Sequence, residues 1–233
     1  MKREIVLDTE TTGLSPAEGH RVVEIGCLEL INHIPTGRNF HVYLNPQRDM
    51  PEEAFRVHGL SEEFLSGHPL FSEKVDEFVE FLGDGTLVIH NAPFDMAFLN
   101  AELERTGRMR LANEVIDTVQ LARKVHPGAR VSLDALCKHY GIDNSRRTLH
   151  GALLDSEILA EVYLELIGGR QVGLALAARN ETAEARSEIA AREIRQRPKP
   201  LAPRLGDEAR QAHASLVESL GEKAIWRRYL TSD

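Results

Sequence analysis

Asp8 and Glu10 close the apolar run Ile5-Val6-Leu7, and Thr11-Thr12-Gly13 then breaks it. Successive strand side chains point to opposite faces, so residues two apart share one, and these carboxylates emerge side by side at the strand's end. Two acids so placed repel each other and are costly to desolvate. A divalent cation removes both costs, and hard oxygen ligands suit Mg²⁺ or Mn²⁺. An Asp-x-Glu at a strand end is also ordinary in a solvated turn, so the pair alone does not decide.

Two later segments add to it. His90-Asn91-Ala92-Pro93-Phe94-Asp95 follows the apolar run Leu87-Val88-Ile89. Pro93 suits the first turn of a helix, with Asn91 or Ala92 as its cap, and Asp95 then sits in that turn at the carboxyl end of a strand. Ligand sites gather at such strand ends in open α/β sheets, although an acid there also simply complements the helix dipole. Further on, His150-Gly151-Ala152-Leu153-Leu154-Asp155 opens a long helical pattern. Positions five apart are not neighbours on a regular helix, which places His150 on the approach and Asp155 on the helix itself.

Residues 3–8, 22–31 and 40–44 have strand patterns, with turn-rich breaks at 13–19 and 32–37, and their short separation predicts an antiparallel meander. Short helices are expected at 51–57 and 61–65. An amphipathic one follows at 72–82, its stripe formed by Val75, Phe78, Val79 and Leu82. A strand at 87–91, a helix at 93–106, a short strand at 114–117 and helices at 118–125, 132–140 and 149–167 complete a body that ends at Gly168-Gly169. Beyond it, Ala/Arg/Glu-rich helical segments at 181–196 and 206–223 flank Arg197-Pro198-Lys199-Pro200-Leu201-Ala202-Pro203, whose prolines impose an extended stretch. Neither segment can bury much apolar surface alone, which suits a tail ordered by a partner.

With 233 residues and 42% hydrophobic content the chain can hold one packed domain and an appendage. Cys27 and Cys137 lack any CxxC pairing and are expected as buried thiols. No signal peptide or apolar run near 18 residues is found, so a cytoplasmic location is expected. Charge is uneven: residues 1–168 carry 16 Lys and Arg against 27 Asp and Glu, net −11, while residues 169–233 carry 12 against 9, net +3. A protein that grips nucleic acid unaided normally shows a basic footprint. This body has none in bulk, so any hold on nucleic acid would need local basic residues or another protein.

Taken together, Asp8-Thr-Glu10-Thr-Thr-Gly13, Asn91-x-x-Phe94-Asp95-x-x-Phe98-Leu99 and His150-x-Ala152-x-x-Asp155 resemble, in order and separation, the motifs of the DnaQ-like (DEDDh) 3′–5′ exonucleases. Phe55-Arg56-Val57-His58-Gly59-Leu60-Ser61 and the tail are most similar to the proofreading branch that serves bacterial replicases. The resemblance covers about the first 170 residues. It implies an α/β, ribonuclease H-like fold, with a mixed five-stranded sheet flanked by helices and a C-terminal partner-binding tail. The expected organisation is an exonuclease domain at 1–169, a linker at 170–180 and a polymerase-binding segment at 181–233.

It further implies two Mg²⁺ or Mn²⁺ ions held by Asp8, Glu10, Asp95 and Asp155, with Asp8 bridging and His150 as the general base on water. Thr11 and Gly13 would meet the terminal nucleotide through their backbone, Leu14 would pack on the end base, and Asn91 and Phe94 would line the groove. Leu14 and Phe94 also suit a plain core, and Asn91 a plain cap. For His58 a substrate loop and a structural histidine are equal readings. The partners implied are DNA with a single-stranded or mispaired 3′ end, the polymerase alpha subunit of the replicase, the sliding clamp, and room for a small accessory subunit. Gln171-Val172-Gly173-Leu174-Ala175-Leu176 resembles a clamp-docking peptide, with Gln171 as polar anchor and Leu174 and Leu176 as apolar ones. Trp226, the only tryptophan, is the expected polymerase anchor. The competing readings are a free-standing exoribonuclease that trims RNA and a non-catalytic scaffold on the same fold.

Overall fold

Apolar side chains alternate between two faces along strand β1 (Arg3–Thr11): Ile5 and Leu7 enter one core and Val6 the other. A strand buried on both faces needs helices on both sides. The computed structural model, described for residues 2–168 and 206–221, supplies them. β1, β2 (Val22–Ile31) and β3 (Ile34–Tyr43) form an antiparallel meander, and β4 (Thr86–Ile89) and β5 (Val115–Asp117) add in parallel to give the order β3-β2-β1-β4-β5. Helices α1 (Glu52–His58) and α2 (Glu62–Ser66) follow β3. Helices α3 (Phe71–Leu82) and α4 (Ala92–Arg105) pack on the face of Ile5 and Leu7. The other face carries α5 (Thr118–Val125), α6 (Leu133–Tyr140) and α7 (Ala152–Leu166). A separate unit contains helix α8 (Asp207–Ser219). Cys27 and Cys137 are buried free thiols. Among the described residues no helix is long and apolar enough to cross a membrane.

Several boundaries differ from those the sequence suggests. β1 runs on to Thr11, so Asp8 and Glu10 lie within the paired region, opposite Gly26 and Glu24, and the irregularity falls between Glu10 and Thr11. β3 starts at Ile34 because Asn32 and His33, with φ of 49° and 68°, make a two-residue hairpin turn. Most of β3 is exposed sheet edge, which tolerates Pro35 and Gly37 and erases the apolar alternation that would have marked it. On α3 the buried stripe is Phe71, Val75, Phe78 and Leu82, and Val79 sits at the rim with 40% exposure. Residues 149–151 are not helical, and α7 begins at Ala152.

Two packing features aim the functional acids. Gly26, the residue opposite Asp8, lies directly beneath the first turn of α7: a Cβ there would come within 2.3 Å of the Ala152 and Leu153 backbone. Only glycine permits this approach, and Ser156 Oγ fastens it by donating to the Gly26 carbonyl at 2.9 Å. The turn that carries Asp155 is thus pressed against the sheet. On the other face Glu102, fully buried on α4, accepts both Nε (2.6 Å) and Nη2 (2.8 Å) of Arg21. That forked pair ties α4 to the chain just before β2 and so fixes the base of the 12–21 loop.

Candidate active site

The carboxyl ends of β1 and β4 point the same way, and the helix that follows β4 begins there. Asn91 holds the N-cap position of α4 in a left-handed conformation (φ 67°), and its side chain makes no capping hydrogen bond. The sharp turn delivers Asp95 in the first helical turn, 3% exposed, where it accepts from Thr9 Oγ1 at 2.7 Å. Asp155 is equally enclosed at 2%, and Glu10 at 7%. Asp8, between them, keeps partial exposure to a groove of about 560 Å³. The structure therefore brings all four sequence-predicted acids to one place from β1, α4 and α7.

The electrostatics of that place are unfavourable. Burial, reinforced by Asp95, Glu10 and Asp155, holds the Asp8 carboxyl well above its ordinary range. Burial, then Glu24 and the other acids, pushes Glu10 up to about 8. Burial pushes Asp95 up to about 7 in spite of its hydrogen bond from Thr9. Glu10 Oε1 is buried with no hydrogen-bond partner. One ligand atom each from Glu10, His150 and Asp155 lie within 4.8 Å of one another. An orphaned carboxylate oxygen on Glu10, beside Asp8 and Asp95 whose burial opposes their ionisation, is a hard donor that fits a divalent cation of the Mg²⁺ or Mn²⁺ type.

His150 sits on the 141–151 connection, as its spacing from Asp155 implies, with its side chain 48% exposed and Nδ1 3.4 Å from Asp155 Oδ2. Its backbone N–H donates to the Val57 carbonyl at 3.1 Å, so α1 steadies the connection. Burial and then the charge of Arg147 lower its pKa, which leaves a neutral imidazole at pH 7. Thr11, Gly13, Leu14, His58 and Phe94 line the groove. Leu14 is 84% exposed and therefore no core residue. Phe94 is half-buried against Phe98, with ring centroids 5.0 Å apart. Asn91 does not line the groove; its backbone N–H is turned to Asp117 Oδ1 at 3.3 Å. His58 is 5% exposed, takes a hydrogen bond from Leu60 N on Nδ1, and faces the Thr11 backbone with Nε2 without completing a well-formed bond. Gln171, Leu174, Leu176 and Trp226 lie outside the described residues.

Residues that the sequence reading passed over also meet here. Glu24, paired with Glu10 across the strands, is a fifth acid of the cluster, buried, and accepts a hydrogen bond from His41 Nε2 at 2.7 Å; an acid inside the apolar strand run 22–28 was its signal. Glu53, His20 and His90 line the groove. Arg147 lies inside the site, 8% exposed, three residues before His150.

The sequence profile described as "Exonuclease" matches residues 5–163. "DNA polymerase III subunit epsilon" of Rickettsia conorii is 59% identical over 174 residues, covering 72% of this chain and 75% of that protein. The protein of the same name from Escherichia coli K12 is 46% identical over 237 residues, covering 97% of each. Among solved structures, exonuclease X in complex with 5′ overhanging duplex DNA superposes with a TM-score of 0.56 at 26% identity, over 72% of this chain and 92% of that one. The nuclease domain of 3′hExo, a DEDDh family member bound to rAMP, gives 0.63 at 16% identity over the same shares, a likeness of fold.

A pH dependence follows from the repelling acids. Glu10 titrates near 4.5 ordinarily and near 8 here, so between those values the native form binds more protons than the unfolded one. The metal-free protein therefore loses stability as pH rises through that window. In EDTA, Glu10→Gln should flatten this fall and raise the melting temperature at about pH 8, by on the order of 2–4 °C for each kcal/mol relieved. An unchanged slope would show that Glu10 is not strained by its neighbours.

Proposed function

The chain belongs to the exonuclease family, alongside the DNA polymerase III epsilon subunits, and from that premise we propose that it is the proofreading 3′–5′ exonuclease of a bacterial replicase. It releases nucleoside monophosphates from a single-stranded or mispaired 3′ end of DNA and works in the cytoplasm. The observation that carries this reading is the convergence of Asp8, Glu10, Asp95 and a neutral His150 on one open groove, with Asp155 set against Glu10 and His150 behind it.

Two divalent cations, when bound by Asp8, Glu10, Asp95 and Asp155, supply charge neutralisation at the phosphate and at the 3′-leaving oxygen and ease the ionisation of water. Asp8, the least enclosed of the four, would hold a cation from the side of the groove. Thr9 fixes the Asp95 carboxyl through its hydroxyl. His150 takes the proton of the attacking water, for which its lowered pKa and half-exposed ring suit it. The Thr11 and Gly13 backbone and the exposed Leu14 seat the terminal nucleotide, and Phe94 and His58 bound the groove.

The replicase assignment is favoured over a free-standing RNA trimmer by the tail, because the Escherichia coli likeness extends over 97% of both chains. A scaffold would gain nothing from keeping repelling acids buried. The domain at 1–169 is then the catalytic body, and the segment from 181 with Trp226 binds the polymerase alpha subunit. Gln171, Leu174 and Leu176 dock on the sliding clamp, and a small accessory subunit can be accommodated as well. Tethering holds an acidic body, net −11, close to DNA by effective concentration rather than by a basic surface of its own.

On a mispaired primer with Mg²⁺, His150→Ala should retain the fold and metal binding but lose about 10²–10⁴-fold in turnover; a near wild-type rate would remove His150 from the chemistry. Truncation after Gly169 should leave hydrolysis of free single strands intact and abolish co-purification with the polymerase. Tight polymerase binding by the 1–169 fragment would move that interface onto the body.

A further inference from the structure

Arg147 is placed where no surface arginine would be. Its Nε and Nη2 contact Asp155 Oδ1 and Oδ2 at 2.5 and 2.7 Å, so that one guanidinium occupies both oxygens of the α7 acid. The same Nη2 lies 2.9 Å from His150 Nδ1. On its far side Nη1 donates to Asp134 Oδ1 at 3.0 Å, a carboxylate at the start of α6 that is 61% exposed. The side chain is thus enclosed between two acids, one inside the catalytic cluster and one outside it.

We propose that Arg147 is the internal cation of the metal-free site: it pairs with Asp155, positions His150, and yields Asp155 to the divalent cation while keeping Asp134. The inference rests on the divalent-cation reading above. A forked guanidinium on a buried carboxylate is among the stronger pairings a protein makes, and removing its cation would leave Asp155 uncompensated among other acids. An incoming cation meets the same oxygens and the positive charge that already holds them. Asp134 gives the displaced guanidinium a seat within reach of its present position, so the exchange needs no rebuilding of the 141–151 connection. Because Arg147 and His150 are three residues apart on that connection, a shift of one moves the other, and entry of the cation frees the imidazole from its guanidinium contact.

The test uses the full chain without nucleic acid and reads Mn²⁺ affinity by titration, together with melting in EDTA. In Arg147→Gln nothing charged has to be displaced, so Mn²⁺ should bind about tenfold tighter or more, the scale of a charge-assisted hydrogen bond. In EDTA the same variant should melt below wild type, because Asp155 has lost its partner. Arg147→Lys keeps a charge but cannot fork, and its Mn²⁺ affinity should fall between the two; if Arg147→Gln does not fold, Arg147→Lys decides alone. A merely structural arginine predicts the opposite sign. Mn²⁺ affinity equal to or weaker than wild type in the variants would overturn the proposal. Absence of Mn²⁺ binding by the wild type would overturn the divalent-cation reading first and this inference with it.

Discussion

Like charges gathered in a buried setting repel with little screening, and the surrounding protein has to hold them together against that repulsion. Asp8, Glu10, Asp95 and Asp155 are such a group, with Glu24 behind them. Much of the architecture reads as the means of holding it. β1 brings two of the acids inside a paired strand that cannot splay. The parallel β4 delivers the left-handed Asn91 and then Asp95 at the same sheet end. Gly26 admits α7 close enough to add Asp155.

The compensating contacts are few and specific. Thr9 donates to Asp95, His41 lies against Glu24, and Arg147 occupies both oxygens of Asp155. Glu10 keeps an oxygen with no partner. A site fully satisfied by protein groups would have no use for a cation, and one with no internal support would push its own strands apart. This one stands between: stable enough to fold, and left with a deficit of the kind a divalent ion would fill. The groove in front of it is bounded by exposed Leu14 and half-exposed Val57, apolar surfaces set before a cluster of acids.

The meeting of the acids and His150 at one sheet end was legible because strand ends and helix starts can be marked on the sequence and set where such side chains emerge. The mixed sheet was legible for the same reason: apolar runs, glycine breaks and a helix-opening proline mark its inner strands. β3 was shortened in the sequence reading because an exposed edge leaves no apolar alternation to find. Arg147 was missed because nothing in a local pattern distinguishes it from Arg146, and only the fold shows that one enters the acid cluster while the other stays 75% exposed beside Glu157. The role of Gly26 was equally hidden, since close approach of a distant helix leaves no mark on the strand that receives it. Of Asn91 and Ala92, the two candidate caps, Asn91 takes the position, by backbone conformation rather than by its side chain.

If the repulsion among the acids is what makes the site a cation site, binding must expel the protons that the acids retain without one. Glu10 near 8 and Asp95 near 7 are substantially protonated at neutral pH in the metal-free protein. Calorimetric titration with Mn²⁺ at pH 7, repeated in buffers of different ionisation enthalpy, counts the protons released. About one proton or more should be released as the site fills. Cation binding with no proton release would contradict it, because the acids would then have been ionised all along and the strain attributed to them would not exist.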